Sequence, residues 1–370
     1  TVDGAPWTFA VMSDAQFVAR DPDSALVRQA RRTLQEIRAS KPAFLLINGD
    51  LVDEASPEDF ALAKRILDEE LEGELPYYYV PGNHEVMGGS IDNFKAAFGA
   101  TSRVFDHKGT RFITVNTSAL SIRGSEWTQL RTLRRELDKA ADDRDVGSVA
   151  LIQHVPLRDP TPAKASELSD RKEAAVIESW LSDFQRSAGK GAVFIGAHVG
   201  TFHAAHVDGV PAFVNGNSAK APSTAPADGG VTGWSRWGVD PITQQEADAA
   251  RRDPARDAPV WVSAEVRPHV DALELAAPDA LEVGDSVAVK ALLTQGDETF
   301  PVGYPMTAAW SGSPNVLIGD GSDRERRHAA VFNPRTGILT AWKPELIRLT
   351  VTVNDTSADA RIRLSAAAAA

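Results

Sequence analysis

The sequence predicts two domains of different class: a layered α/β domain over residues 1–268 and an all-β sandwich over residues 269–365, with a tail at 366–370. Three observations carry that division. Through the first two-thirds of the chain, short apolar runs alternate with segments of helical periodicity, the pattern of strands and helices stacked in layers. After Ser218 the texture turns to Ala, Pro, Gly and Ser as far as Pro241, then to a charged stretch at 246–257. Beyond Pro268, period-two alternation takes over, broken by Gly, Pro, Asn and Asp turns.

Taken in order, the runs at 9–12, 44–47, 77–80, 112–115, 149–152 and 193–195 are too short for helices and read as buried strands. Between them, Leu26, Ala30, Leu34 and Ile37 recur at helical spacing, and Ser56-Pro57 gives an N-cap and a first-turn proline ahead of Phe60, Ala63, Leu67 and Leu71. Trp127, Leu130, Leu133 and Leu137 mark a further helix. Another is expected over about 170–187, burying Val176, Trp180 and Leu181. Residues 217–241 read as a loop over the same rim as the strand ends, 246–259 as a linker or helix, and 260–266 as a closing strand. In the second domain Ile347, Leu349, Val351 and Val353 alternate with Arg348, Thr350 and Thr352, and the similar short runs around them predict a small immunoglobulin-like sandwich without a disulfide.

Composition narrows the function. The 370 residues are 43% apolar and contain no run long enough to span a bilayer, so no membrane span is expected. The formal net charge of −12 argues against general nucleic-acid binding through diffuse electrostatics. With no cysteine, thiolate metal sites and thiol catalysis are excluded. The chain begins at Thr1 without a charged-then-apolar leader, which reads as a fragment of a longer precursor.

The potential metal ligands fall at strand ends. Asp14 follows the first strand, Asp50 the second, Asn83 and His84 the third, and His154 and His198 two later ones. In an α/β sheet the carboxyl ends of the strands share one rim, so residues far apart in sequence meet there around a ligand. Carboxylates, an amide oxygen and imidazoles together suit Mn²⁺, Fe²⁺ or Zn²⁺. Taken singly, Asn48-Gly49-Asp50 and Pro81-Gly82-Asn83 are also ordinary turn signals, so the argument rests on the set.

The set, read as Asp14-Ala15-Gln16, Gly49-Asp50-Leu51-Val52-Asp53, Gly82-Asn83-His84-Glu85, His154-Val155-Pro156 and Ala197-His198-Val199-Gly200, resembles the ordered blocks of the calcineurin-like metallophosphoesterases. The resemblance covers about residues 7–218. It implies a four-layer α-β-β-α sandwich with a dinuclear site at the sheet ends. It also implies that Asp50 bridges two divalent ions, with Asn83, His154 and His198 completing one site and Asp14 and Gln16 serving the other. His84 would be the catalytic imidazole that protonates the leaving oxygen, oriented by Asp53, and the nucleophile a metal-bound hydroxide. The sequence departs from the family pattern at Gln16 and Gly200, where imidazoles are expected, and both departures fall on one metal. His203, or failing it His206, is the residue expected to swing into the vacancy, leaving the second site weak.

Trp234 and Trp237 in the 217–241 loop are candidates to stack on a substrate, although a role in packing the loop is the commoner use of such residues. Arg20, Arg123, Arg158 and Lys220 are candidate phosphate clamps. The expected function is hydrolysis of phosphate esters, diesters foremost, on a phosphorylated small-molecule or cell-envelope substrate. The appended sandwich suggests a bacterial enzyme that is secreted or in the cell envelope. The rival reading is a degenerate, non-catalytic module that binds a phosphorylated glycan or lipid; an adhesin role resting on the second domain is a third.

Overall fold

The structure, a computed structural model, describes residues 2–253, 255 and 257–367. The chain divides into two compact units between Val266 and Arg267, two residues before the expected boundary.

In the first unit the elements follow one another as β1 (Trp7–Met12), α1 (Ala25–Ala39), β2 (Leu45–Asn48), α2 (Pro57–Leu71), β3 (Tyr77–Val80), α3 (Ile91–Phe98), β4 (Arg103–His107), β5 (Thr110–Val115), α4 (Ile122–Ser125), α5 (Gln129–Asp142), β6 (Ser148–Gln153), α6 (Arg171–Ala188), β7 (Gly191–Gly196), β8 (His203–Val207), β9 (Val210–Val214), β10 (Gly233–Val239), α7 (Gln244–Arg252) and β11 (Val262–Pro268). Local chemistry explains the helix starts. The Ser24 side chain accepts from Val27 N–H, and Ser56 with Asp59 forms a reciprocal capping box ahead of Pro57.

Two sheets result, ordered β11-β10-β1-β2-β3 and β4-β5-β6-β7-β9-β8. One apolar cluster joins Ala10, Met12, Leu45 and Ile47 to the buried faces of α1 and α2, among them Ala30, Leu34, Phe60 and Leu67. A second joins Ile113, Val149, Leu151 and Phe194 to Leu137 of α5 and Ile177 and Leu181 of α6. Between the sheets lies an aromatic layer in which Phe9 and Phe44 of one sheet region meet Phe112 of the other at ring-centroid distances of 5.2 and 5.1 Å. The order is therefore helices, sheet, sheet, helices, with strand residues alternating between the aromatic layer and a helical layer.

Several expectations need correction. Trp127 is not on α5: it is 74% exposed, with the Arg123 guanidinium over its ring. Val176 is 39% exposed, and α6 buries Ala174, Ile177, Leu181 and Phe184 instead. The 217–241 segment is not all loop, because β10 lies within it and pairs antiparallel with β1. Trp234 and Trp237 accordingly are core residues, Trp234 donating to Glu36 at 2.9 Å and Trp237 stacking on Phe9. The Gly- and Ser-rich surroundings hid a strand whose burial comes from two tryptophans rather than from an aliphatic run.

The second unit is strand-rich. Its strands β12 (Ala272–Ala276), β13 (Ala280–Glu282), β14 (Ser286–Ala288), β15 (Lys290–Gln295), β16 (Glu298–Pro301), β17 (Ala309–Gly312), β18 (Val316–Ile318), β19 (Ala330–Asn333), β20 (Ile338–Ala341), β21 (Leu346–Val353) and β22 (Thr356–Ser365) form sheets ordered β12-β15-β16, β13-β22-β21-β17 and β14-β20-β19-β18. On β21 the alternation read from sequence holds: Ile347, Leu349, Val351 and Val353 are buried and the residues between them are not.

Candidate metal centre

The first unit gathers its motif residues just beyond the carboxyl ends of β1, β2, β3, β6 and β7. The chain turns sharply there. Asp14, Gln16, Asp50 and His198 all hold left-handed backbone, with φ of 55, 55, 53 and 73°, conformations that cost on the order of 1 kcal/mol each outside glycine. The turns are locked to one another: Asp50 carbonyl accepts from the N–H groups of Ala15 (2.9 Å) and Gln16 (3.0 Å), and Gly49 carbonyl from Asp14 N–H (3.1 Å). Glycine is needed at two places. A Cβ on Gly49 would strike the His154 ring, and one on Gly82 would strike both the Asp50 carboxylate and that ring, so these residues let two motif loops close on a third.

Asp50, His154 and His198 bring their ligand atoms within 4.8 Å of one another. His154 Nδ1 sits 2.6 Å from Asn48 carbonyl oxygen, to which it donates, and this aims Nε2 at Asp50 Oδ2, 3.0 Å away, with Asp14 Oδ1 at 3.9 Å. Such a bond to one imidazole nitrogen fixes the other toward a metal. Asn83 Oδ1 is buried without a hydrogen-bond partner among the described residues. A buried amide oxygen left unpaired carries a cost that a cation would remove. Donor set, orphaned oxygen and glycine cradle all fit a divalent metal held by Asp50, Asn83, His154 and His198.

The four ionisable groups of the cluster, Asp14, Asp50, His154 and His198, perturb one another. Burial pushes the Asp14 carboxyl up to about 6, with the nearby Asp50 charge adding to the effect. Burial acts on Asp50 in the same direction, but the charge and hydrogen bond of His154 outweigh it and hold its carboxyl below the usual range. Against the opposing effect of burial, Asp50 and Asp14 raise His154 to about 10, while burial and then the His154 charge push His198 down to about 4.

His84 lies beside the cluster, its Nε2 3.9 Å from Asp50 Oδ2 and its backbone N–H donating to Asp50 Oδ1 at 3.0 Å. Its Nδ1 is 2.7 Å from the Asp53 carbonyl and 3.2 Å from the Asp53 carboxylate, so the main chain of Asp53 orients the ring more closely than its side chain does. Gln16 donates from Nε2 to Asp50 Oδ2 at 3.3 Å.

His203 is not brought to this cluster. It begins β8, and its ring lines a separate cavity with Pro156 and Lys164; the hairpin turn at Asp208-Gly209 carries it on the sheet rather than toward the metal ligands, and His206 stands exposed on the same strand. Gly200 is not an open vacancy either, because Ser223 Oγ occupies the space a Cβ would need and φ is 83°. Of the expected clamps, Arg20, Arg123 and Arg158 are paired with Glu54, Glu173 and Glu178. Lys220 has no carboxylate partner among the described residues; its N–H donates to Asp14 carbonyl at 3.2 Å, and its charge is felt at His198.

Sequence reasoning assigned no role to Glu85. It is fully buried and accepts from the N–H groups of Asp50 (2.8 Å), Leu51 (2.9 Å) and Gly82 (2.6 Å) and from the Tyr79 hydroxyl. Burial, followed by the neighbouring Asp50 charge, raises its carboxyl to about 7. It pins the second motif loop to the third. The available signal was an acidic residue directly after Gly82-Asn83-His84 in a loop otherwise lacking acids.

The family model for calcineurin-like phosphoesterases matches residues 8–205. No curated protein sequence matches the chain. Among solved structures, the chain is similar to GAP50, the anchor in the inner membrane complex of Plasmodium (10% identity, 71% of this chain and 84% of that one, TM-score 0.47). It is similar also to purple acid phosphatase PPD1 of yellow lupin (12%, 65% and 50%, TM-score 0.49) and to a putative 5'-nucleotidase of Staphylococcus aureus (12%, 68% and 58%, TM-score 0.39). The chain thus spans about half of the lupin enzyme. With the family model running from β1 into β8 across every residue of the cluster, the chain belongs to the calcineurin-like phosphoesterases.

Proposed function

We propose that this chain hydrolyses phosphate esters, phosphodiesters foremost, with a divalent metal held by Asp50, Asn83, His154 and His198 and a second, weaker site at Asp14, Gln16 and Asp50. The family is one of metal-dependent phosphoester hydrolases, and the observation that carries the reading is the Asp50–His154–His198 cluster, its ligand atoms within 4.8 Å of one another, together with the unpartnered Asn83 oxygen in the adjoining motif loop. A bound divalent ion supplies charge for the phosphoryl oxygens and acidity for an attacking water.

The chain's own residues do the rest. Asp50 draws His84 N–H and Gln16 into place; His198, neutral at pH 7, offers a lone pair without first losing a proton. His84, with Nδ1–H donated to Asp53 carbonyl, holds a proton at Nε2 and delivers it to the leaving oxygen, the step that a poor alkoxide leaving group requires. Lys220, exposed and without a carboxylate partner among the described residues, is the cation that meets the phosphate. The strand-rich second unit, read as an immunoglobulin-like accessory module, fits a secreted or cell-envelope enzyme.

The test is hydrolysis of bis(p-nitrophenyl) phosphate by the full chain with Mn²⁺, Fe²⁺ or Zn²⁺. Turnover that chelator abolishes and metal restores supports the proposal. Gln16 and Gly200 favour one rival, a non-catalytic module; that reading predicts metal-dependent binding of a phosphorylated ligand with no turnover under any metal.

A further inference from the structure

The β8–β9 hairpin leaves a cavity of about 300 Å³ between its outer face, α6 and the segment that follows His154. Its origin is visible in the register. Ala205 lies opposite Ala212, with His203 opposite Val214 on one side and Val207 opposite Val210 on the other. Two of the smallest side chains therefore share the middle of a face that larger residues fill elsewhere. The floor is apolar: Leu157, Leu181, Phe194 and Val210 are all buried.

The rim carries two cations, Arg158 and Lys164, and two carboxylates, Glu178 and Asp159. Glu178 is occupied by Arg158 through three contacts of 2.7–3.2 Å. The Asp159 carboxylate accepts from the N–H and hydroxyl of Thr161 and from Ser166 N–H. Lys164, by contrast, donates only to a neutral acceptor, the Asp159 carbonyl, at 2.7 Å. The half-buried His203 ring has no hydrogen-bond partner among the described residues, and burial, together with the Lys164 charge, favours its neutral form. An ammonium bonded only to a neutral carbonyl, with the Asp159 carboxylate acting on it from beyond ion-pair distance, and an imidazole N–H without an acceptor among the described residues thus stand side by side over an apolar floor. The volume is at the lower end of small-molecule sites, room for an occupant of about a dozen non-hydrogen atoms.

We propose that this cavity binds a small amphipathic anion, one acidic head group on a chain of about ten carbons. The head group accepts from Lys164 and His203 and the chain lies across the paired alanines onto Phe194 and Leu181. The site uses none of the metal-cluster side chains and is therefore separable from the phosphoesterase reading.

The test is calorimetric titration of decanoate into the full chain after chelator treatment, with decanol and decyltrimethylammonium as neutral and cationic probes. Saturable binding of one decanoate is expected, at least about tenfold tighter than either control, since a charge-assisted hydrogen bond to the head group is at stake. Exposed Lys164→Ala should weaken decanoate about tenfold and leave decanol unmoved. Ala205→Phe, and the milder Ala205→Leu, should abolish binding by filling the space, with circular dichroism confirming the fold. No saturable decanoate binding, binding no tighter than decanol, or binding unmoved by Lys164→Ala and by whichever Ala205 variant folds would overturn the proposal. Because the metal-free protein is used, loss of hydrolysis does not bear on the result.

Discussion

The two halves of the candidate centre are built from the same strand ends yet differ in kind. On one side Asp50 and His154 are buried and His198 is partly so, with His154 oriented by Asn48 carbonyl. On the other, Asp14 has a glutamine for a neighbour where an imidazole is expected, and Gly200 has Ser223 packed against it. The difference teaches that a position without the expected ligand need not leave a hole. Position 16 holds a side chain that turns its amide toward Asp50, whereas position 200 is closed by its own backbone and by Ser223, so the two positions would not accept an imidazole equally well.

The largest effect that would break the comparison is removal of the shared carboxylate. Asp50→Ala takes a ligand from both halves and the anchor of His84 N–H, and should cost roughly a thousandfold or more in hydrolysis along with tight metal retention, read by rate assays and elemental analysis. His84→Ala should leave metal content unchanged and lower turnover by roughly 10²–10⁴, the range for a lost proton donor. Asp53→Ala should be milder, because the carbonyl that holds His84 Nδ1 survives.

Restoring the altered half sharpens the contrast. Gln16→His should tighten the second equivalent of metal by about tenfold or more, since imidazole replaces a neutral amide and His tolerates the left-handed backbone there. Gly200→His should instead destabilise the fold by about 1–3 kcal/mol, measured by chemical denaturation, because φ is 83° and Ser223 fills the Cβ position.

A smaller effect follows from protonation. His154, raised to about 10 in the metal-free chain, lends its ion-pair stability fully below its ordinary pKa of about 6.5 and loses it as pH rises through about 10. A metal must displace that proton. Uptake near pH 7 should release about one proton per chain, and affinity should rise by about tenfold per pH unit, measured by calorimetry in buffers of different ionisation enthalpy. The smallest effect expected is that of truncation after Pro268, which removes no motif residue and should leave hydrolysis within about twofold.

How far the sequence revealed this is a matter of which forces act locally. The helix start at Ser56, the β21 alternation and the strand-end placement of Asp14, Asp50 and His154 rest on short-range chemistry and can be read directly. The fate of 217–241 could not, because β10 is defined by partners at the other end of the unit: Phe9 under Trp237 and Glu36 at the Trp234 nitrogen. His203 was misplaced for a related reason. Its place three residues after Gly200 suggests reach, but the pairing of β8 with β9 decides which face it shares. The acid at Glu85 is visible in its motif but its role is not, because three of its four partners are backbone N–H groups, which no residue type announces.

Metal retention tests the asymmetry most directly. After the chain is loaded with Mn²⁺ and dialysed without chelator, elemental analysis should find close to one ion per chain, with a second appearing only in added metal and rising together with hydrolysis. Two ions retained equally, or none, would contradict the account of one complete and one altered half.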